Sequence, residues 1–214
     1  MLDALGRALR LDAAERVHLL ALAGRRAAPE TSRTVDAPRP ALLRLLQAVE
    51  PFPAYIVGPS LDMLAWNATA SALFGGLEAR PRDALNMARL IFLDRGLGRL
   101  LDVEQVGGEV VAALRAAQGR PGTRGDVDAL VAELLESSAE FRTHWHRQDV
   151  SAKAHGRKSF RHPDVGRLDL DWERLTIPAA EDQALMVYSA EPGGPSATAL
   201  ALLGSLAATE AGIS

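Results

Sequence analysis

The chain of 214 residues has no cysteine. That single absence removes disulfides, thiolate metal sites and cysteine nucleophiles, and it fits a cytoplasmic location. Lysine is nearly missing too: Lys153 and Lys158 are the only two, and arginine carries the remaining basic charge. With the excess of Ala and Leu, this usage reads as a GC-rich coding bias. No stretch approaches the roughly 18 to 20 uninterrupted apolar residues of a membrane span. Met1-Leu2-Asp3-Ala4 lacks the basic region and apolar run of a secretory signal. Neither sign of charge dominates, with 24 Lys+Arg against 27 Asp+Glu and a net of −3. Phosphate neutralisation needs a basic face, so the chain as a whole is not expected to be a nucleic-acid binder. Catalytic signatures are missing as well: no G-x-S-x-G, H-E-x-x-H, G-x-x-x-x-G-K-[ST] or G-x-G-x-x-G after a strand occurs. The glycine-rich stretch 119–125 lacks the lysine of a phosphate cradle and reads as a loop. No enzyme activity and no cofactor is expected.

What is present is an ordinary globular composition, 48% apolar and 24% charged. A chain of this length buries roughly 70% of its surface, enough for one good core plus an appendage. Residues 2–28 carry apolar residues at helical spacing, interrupted at Asp12, an N-cap with Glu15 in the capping-box position. Two short helices follow from that pattern, a pair too small to bury its own faces. Pro29, Pro38 and Pro40 around a Thr-Ser-Arg-Thr stretch mark a linker. A helix is expected over 41–49, and 54–57 with 61–66 form a hairpin about Gly58-Pro59-Ser60. Helical candidates then run over 68–74, 87–93, 103–118, 126–136 and 139–146.

After Ser151 the period becomes two. Leu168, Leu170 and Trp172 share one strand face, and Asp169, Asp171 and Glu173 share the other, which reads as a solvated sheet surface. Leu175 and Ile177 fall on the opposite parity, and a bulge near Glu173-Arg174 is expected to restore them to the core side. A strand over 185–190 and a helix over 195–208 close the chain. Two strands, a helical block, three strands and a helix describe an α+β domain, an antiparallel sheet with helices on one face. Such a half-barrel can enclose a small-molecule cavity.

His144, His146, His155 and His162 lack the spacing of a closed metal site, and structural or surface roles are expected for them. Asn67 and Asn86 each precede a helix, and each fits an N-cap or a site residue. Arg89, one turn after Asn86 in an otherwise apolar helix, either snorkels or offers its planar fork to an anionic head group in a cavity.

Several blocks resemble a known family: 65–75 (Ala-Trp-Asn-Ala-Thr-Ala-Ser-Ala-Leu-Phe-Gly), Asn86 with Leu90-Ile91-Phe92-Leu93-Asp94, and 138–145 (Ser-Ala-Glu-Phe-Arg-Thr-His-Trp). His162-Pro163-Asp164-Val165-Gly166-Arg167-Leu168 and Tyr188-Ser189-Ala190-Glu191-Pro192-Gly193 continue the likeness. In order and spacing they look like the C-terminal ligand-binding domain of MmyB-like transcription regulators, over about Pro40 to Leu206. The resemblance implies a PAS-like five-stranded antiparallel sheet with a helical insertion over 40–208, a linker over 28–39, and at 1–27 the last two helices of an XRE-type helix-turn-helix domain. It also implies a fatty-acid-like ligand. Burying about ten methylenes at ~0.8 kcal/mol each yields about 8 kcal/mol, against association costs of ~4–15 kcal/mol. The tail then dominates affinity and a head-group contact sets orientation.

The expected site draws its polar part from Trp66, Asn67, Asn86 and Arg89. Its apolar lining comes from Leu90, Leu93, Phe141, Trp145, Phe160 and Trp172. A protein-interaction or homodimerisation module, in which Phe141, Trp145 and Trp172 meet a partner chain, is the alternative, with an uncharacterised enzyme behind it. DNA is a partner only with the family's upstream helices, which include the recognition helix and lie before Met1. The protein Met1–Ser214 is therefore expected to give no sequence-specific mobility shift at low salt; a discrete specific complex would contradict the domain reading.

Overall fold

The computed structural model describes residues 37–94, 99–119, 124–147, 153–178, 180 and 182–211. The helix pair expected over 1–27 and nearly all of the linker expected over 28–39 lie outside the described residues.

The domain opens with α1 (Pro40–Ala48), started by a proline whose missing N–H costs nothing at the first helical position. The hairpin follows as β1 (Ala54–Val57) and β2 (Met63–Trp66), antiparallel with Tyr55 opposite Trp66. Five α-helices come next: α2 (Ala68–Phe74), α3 (Met87–Phe92), α4 (Val103–Gln118), α5 (Arg124–Ser137) and α6 (Ala139–His146). Strands β3 (His155–His162), β4 (Gly166–Thr176) and β5 (Ala184–Ser189) lead to the closing helix α7 (Pro195–Ala211). The strands form one antiparallel sheet in the order β2-β1-β5-β4-β3. The α+β class and five-stranded sheet expected from the sequence are what the chain adopts.

Local chemistry sets the boundaries. α2 ends at Gly75, whose φ of 85° is the left-handed conformation that glycine adopts without a Cβ penalty. The Gly76 N–H then closes the helix on the Ser71 carbonyl at 2.8 Å, a link typical of a glycine C-terminus. Ser138 caps α6 by accepting from the Phe141 N–H at 3.1 Å, a favoured role for a serine at that position.

The β1–β5 side of the sheet is covered on both faces, which adds an outer helix to the expectation that helices cover only one. On the inner face Tyr55, Leu168, Leu170, Trp172 and Tyr188 join the large core with residues of α2 to α7. On the outer face Leu42 and Leu46 of α1 pack on Ile56, Ile177 and Leu185. α1 is therefore the outer cover. This arrangement also removes the expected bulge at Glu173-Arg174. β4 pairs with β5 in unbroken register through Trp172–Tyr188, Arg174–Met186 and Leu175–Leu185. Ile177 falls on the opposite parity because it packs under α1 on the outer face, whereas Leu175 is on that face and 49% exposed. The register irregularity lies elsewhere, between Ile56 and Val57.

Asn67 joins these parts. Its Oδ1 accepts from the N–H groups of Ala54 and Ala70, both at 3.0 Å. Its Nδ2 donates to Phe52 O at 2.8 Å and Leu46 O at 3.3 Å. Both donors and both acceptor sites of the amide are used, and they tie the end of α1, the start of β1 and the first turn of α2 together. Asn67→Ala strands these buried groups and should cost about 2–4 kcal/mol, more than an exposed cap. Urea unfolding with an unchanged m-value tests this; a loss under about 1 kcal/mol, the worth of an ordinary cap, contradicts it.

Candidate functional site

The residues expected to line a site separate into two environments. Asn86 is 1% exposed. It accepts from Ala88 N–H at 3.0 Å and Arg89 N–H at 3.3 Å, and donates to Ser60 O at 2.8 Å and Asp62 Oδ1 at 2.9 Å. Like Asn67, it has no capacity left for a ligand. Arg89 is engaged as well: Nε and Nη2 reach the Glu133 carboxylate at 2.9 and 2.7 Å, and Nη1 donates to Asp83 O at 3.1 Å. Each partner shifts the other: hydrogen bonding to Glu133 raises the Arg89 pKa, and the Arg89 hydrogen bond lowers that of Glu133. The two side chains are 30% and 39% exposed. Solvent screening at that exposure limits the pair to at most about 1 kcal/mol.

Arg89 borders a cleft of about 270 Å³ shared with Ser60, Asp62, Asp126, Leu130 and Glu133. Three carboxylates surround the one guanidinium, so the cleft disfavours an anion. It is a polar notch on the surface and not the mouth of an apolar chamber. Trp66 donates to Glu78 Oε1 at 2.6 Å and is half-buried, and Leu93 is 37% exposed.

Leu90, Phe141, Phe160 and Trp172 are buried in the interior between the sheet and its helices, and Trp145 packs against them half-buried. Phe141 meets Phe92 edge-on at 5.0 Å and stacks on Trp145 at 5.4 Å. Arg115 of α4 lies over the Trp145 ring at 4.7 Å and donates to the Trp145 carbonyl. Phe160 packs edge-on to Phe74 and Tyr188.

Within this oily interior runs a polar row that the sequence reading missed. The hydroxyls of Tyr55 and Tyr188 are 3.4 Å apart. Lys158, only 6% exposed, extends from β3 so that Nζ lies 4.5 Å from the Trp172 ring centroid and 5.9 Å from that of Tyr188. Glu109 of α4 faces it, with Oε2 3.6 Å from Lys158 Nζ and Oε1 3.4 Å from Lys153 Nζ. A separation of this size between Lys158 and Glu109 leaves a Coulombic attraction, beyond a good hydrogen bond. Trp172 Nε1 and Glu109 Oε2 are buried without a hydrogen-bond partner among the described residues. Gly156 sits opposite Trp172, and a Cβ there would come within 3.0 Å of Nε1. Glycine is thus what lets the indole N–H lie flat against β3.

Burial governs the ionisation of the row. Desolvation pushes Tyr55 up to about 12 and Tyr188 well above its ordinary value, with Glu109 adding to both. It pushes Lys158 down, opposed by the Glu109 carboxylate. One signal for this row was available: Lys158 shares strand parity with Phe160 and His162, an inward parity in an alternating strand. His162 and His144 are both buried, His162 between Ala72 O at 3.0 Å and Asp164 N at 3.2 Å. Among the described residues no cluster of three or more His, Asp or Glu that could hold a metal ion occurs. The outer-face acids are paired, Asp171 with Arg157 at 2.8 Å and Asp169 with Arg167 at 3.0 Å.

A twisted antiparallel sheet in the order β2-β1-β5-β4-β3, with helices over an interior that holds a few polar groups, is a PAS-like ligand-binding architecture. The family model of the MmyB-like transcription regulator ligand binding domain matches residues 38–203, and the chain belongs to this family. The search of curated proteins finds no match. The family assigns the domain a ligand-binding role in transcription regulation, which implies a small-molecule ligand. Among the described residues no helix is long and apolar enough to cross a membrane.

Lys158 leaves a pH signature. Its folded pKa lies below the ordinary 10.5. Between those values the unfolded chain binds more protons than the folded one, so stability rises with pH through that window and levels off above it. In Lys158→Met this contribution is gone. The wild-type thermal midpoint minus that of the variant should climb as pH approaches about 10, the tyrosine contributions cancelling in the difference; a flat or falling difference contradicts the buried ammonium.

Proposed function

We propose that this domain is the sensory part of a helix-turn-helix regulator, and that it binds a small apolar, fatty-acid-like molecule between the inner face of the sheet and the helices α3 to α6 to control DNA binding. The observation that carries this reading is the polar row itself. A domain that needed only a solid core would gain by filling that volume with apolar side chains, because buried ion pairs rarely beat hydrophobic replacements. Instead the interior that holds Phe141, Phe160 and Leu90 also keeps an ammonium, a carboxylate and an unpaired indole N–H. An amphiphile satisfies both parts, its tail among the apolar side chains and its head at the row.

A ligand regulates only by binding one conformation better than another. The geometry supports β1 as the route outward. Tyr55 takes part in the row on the inner face, while Ala54 and Ile56 of the same strand carry α1 on the outer face. A change in the row displaces β1 and so α1, the helix nearest the linker. The alternative of a docking module built on Phe141, Trp145 and Trp172 has less support, since Phe141 and Trp172 are buried and only Trp145 is partly exposed.

Organic extraction of the purified protein followed by mass spectrometry tests this function. A stoichiometric long-chain acid, or another single-chain amphiphile, is the expected result. Protein free of any extractable amphiphile, and unchanged in thermal midpoint on adding fatty acids from about eight to sixteen carbons, contradicts it.

A further inference from the structure

Resting on that ligand-binding reading, we propose that Lys158 and the Trp172 indole N–H form the head-group site for a ligand carboxylate, and that Glu109 occupies the ammonium as an internal counter-ion which the ligand displaces. Arg89 has no part in it.

The hydrogen-bond inventory of the row is lopsided. An ammonium has three N–H donors, and the carboxylate oxygen facing that of Lys158 stands off at 3.6 Å. Trp172 Nε1 is a donor without an acceptor among the described residues. The two tyrosine hydroxyls share one contact at 3.4 Å, so one of their two hydrogens is left over from that pair. Against these stands Glu109, anchored on the outer side by Lys153 at 3.4 Å. Glu109 Oε2 is a buried acceptor likewise without a hydrogen bond, yet the donors of the row outnumber it, which favours a group with several acceptor oxygens that can take the place of Glu109 beside the ammonium. A carboxylate matches; an amine or an ammonium head group does not.

Position supports the same assignment. Lys158 on β3 and Trp172 on β4 are diagonal neighbours on the inner face, since Gly156 pairs with Trp172 and Lys158 with Leu170, a separation that long side chains span. The ammonium lies over the face of the same indole ring that carries Nε1 at its edge, 4.5 Å from the ring centroid. The apolar side chains Leu168, Leu170 and Phe160 adjoin it on the same sheet face. A carboxylate arriving at ordinary charge-assisted distance, about 2.7–2.9 Å, replaces a longer contact that lacks a hydrogen bond. Glu109 then keeps Lys153 and leaves the row, which gives α4 a ligand-dependent tether to the sheet. Arg89 already has a bidentate carboxylate partner among further acids, so an anion gains nothing there.

The test compares dodecanoate with 1-dodecanol by titration calorimetry on the full chain. Wild type should prefer dodecanoate by at least about tenfold, the usual worth of a charge-assisted hydrogen bond. Lys158→Met should abolish that preference by weakening dodecanoate alone, and Trp172→Phe should reduce it. Arg89→Gln should leave both affinities within about twofold. Glu109→Gln should tighten dodecanoate severalfold, a gain that misfolding cannot produce. Unchanged preference in Lys158→Met, lost preference in Arg89→Gln, or no gain in Glu109→Gln overturns the anchor while binding of both probes keeps the sensing reading. Wild type that binds neither probe overturns both.

Discussion

An ammonium held between a sheet and a helix is penalised by desolvation, and the fold around Lys158 offsets part of that penalty. Two aromatic faces, Trp172 and Tyr188, lie beside it and attract it through their ring quadrupoles. Glu109 adds a Coulombic attraction across 3.6 Å. Every one of these partners comes from a different element, so their meeting depends on the β3-β4-β5 register and on the placement of α4. The antiparallel register with Trp172 opposite both Gly156 and Tyr188 is the constraint on which the interior rests.

That register also organises the two faces. Inner-face side chains build the large core and the polar row; outer-face side chains of β1 and β5 build the smaller cluster under α1. A strand with both faces buried, such as β1, cannot adjust on one side without being felt on the other, because packed interiors transmit strain. Asn67 strengthens this coupling by bonding at once to the end of α1, to β1 and to α2. A family whose business is ligand-dependent transcription is well served by a sheet that couples its faces in this way.

Much of this was legible in the sequence, and what was not has identifiable causes. Helix ends at Asn67, Gly75 and Ser138, and the hairpin about Gly58–Ser60, depend on neighbours a few residues apart, so local chemistry reveals them. The alternation through Leu168, Leu170 and Trp172 showed the inner face correctly. The parity change at Ile177 records burial under α1, which lies far earlier in the chain, and Leu175 is simply an exposed apolar residue; a bend was the wrong inference from that pattern. Arg89 illustrates the same limit. Its setting is decided by Glu133, 44 residues away on α5. Nothing in the short α3 segment distinguishes a free guanidinium from a paired one. Lys158 was within reach, since an inward parity shared with Phe160 marks it, but a charged residue in a strand is read as solvated until a partner such as Glu109 is known.

Ligand that reaches the buried row must meet the Trp172 indole, and the indole N–H signals report on it directly. The chain has three tryptophans. Among the described residues Trp172 holds a buried indole N–H without an acceptor, whereas that of Trp66 is bound to Glu78. In a proton–nitrogen correlation spectrum titrated with dodecanoate, the Trp172 indole resonance should move downfield as it gains an acceptor, while that of Trp66 stays in place. A Trp172 resonance that keeps its position at saturating ligand would contradict the account.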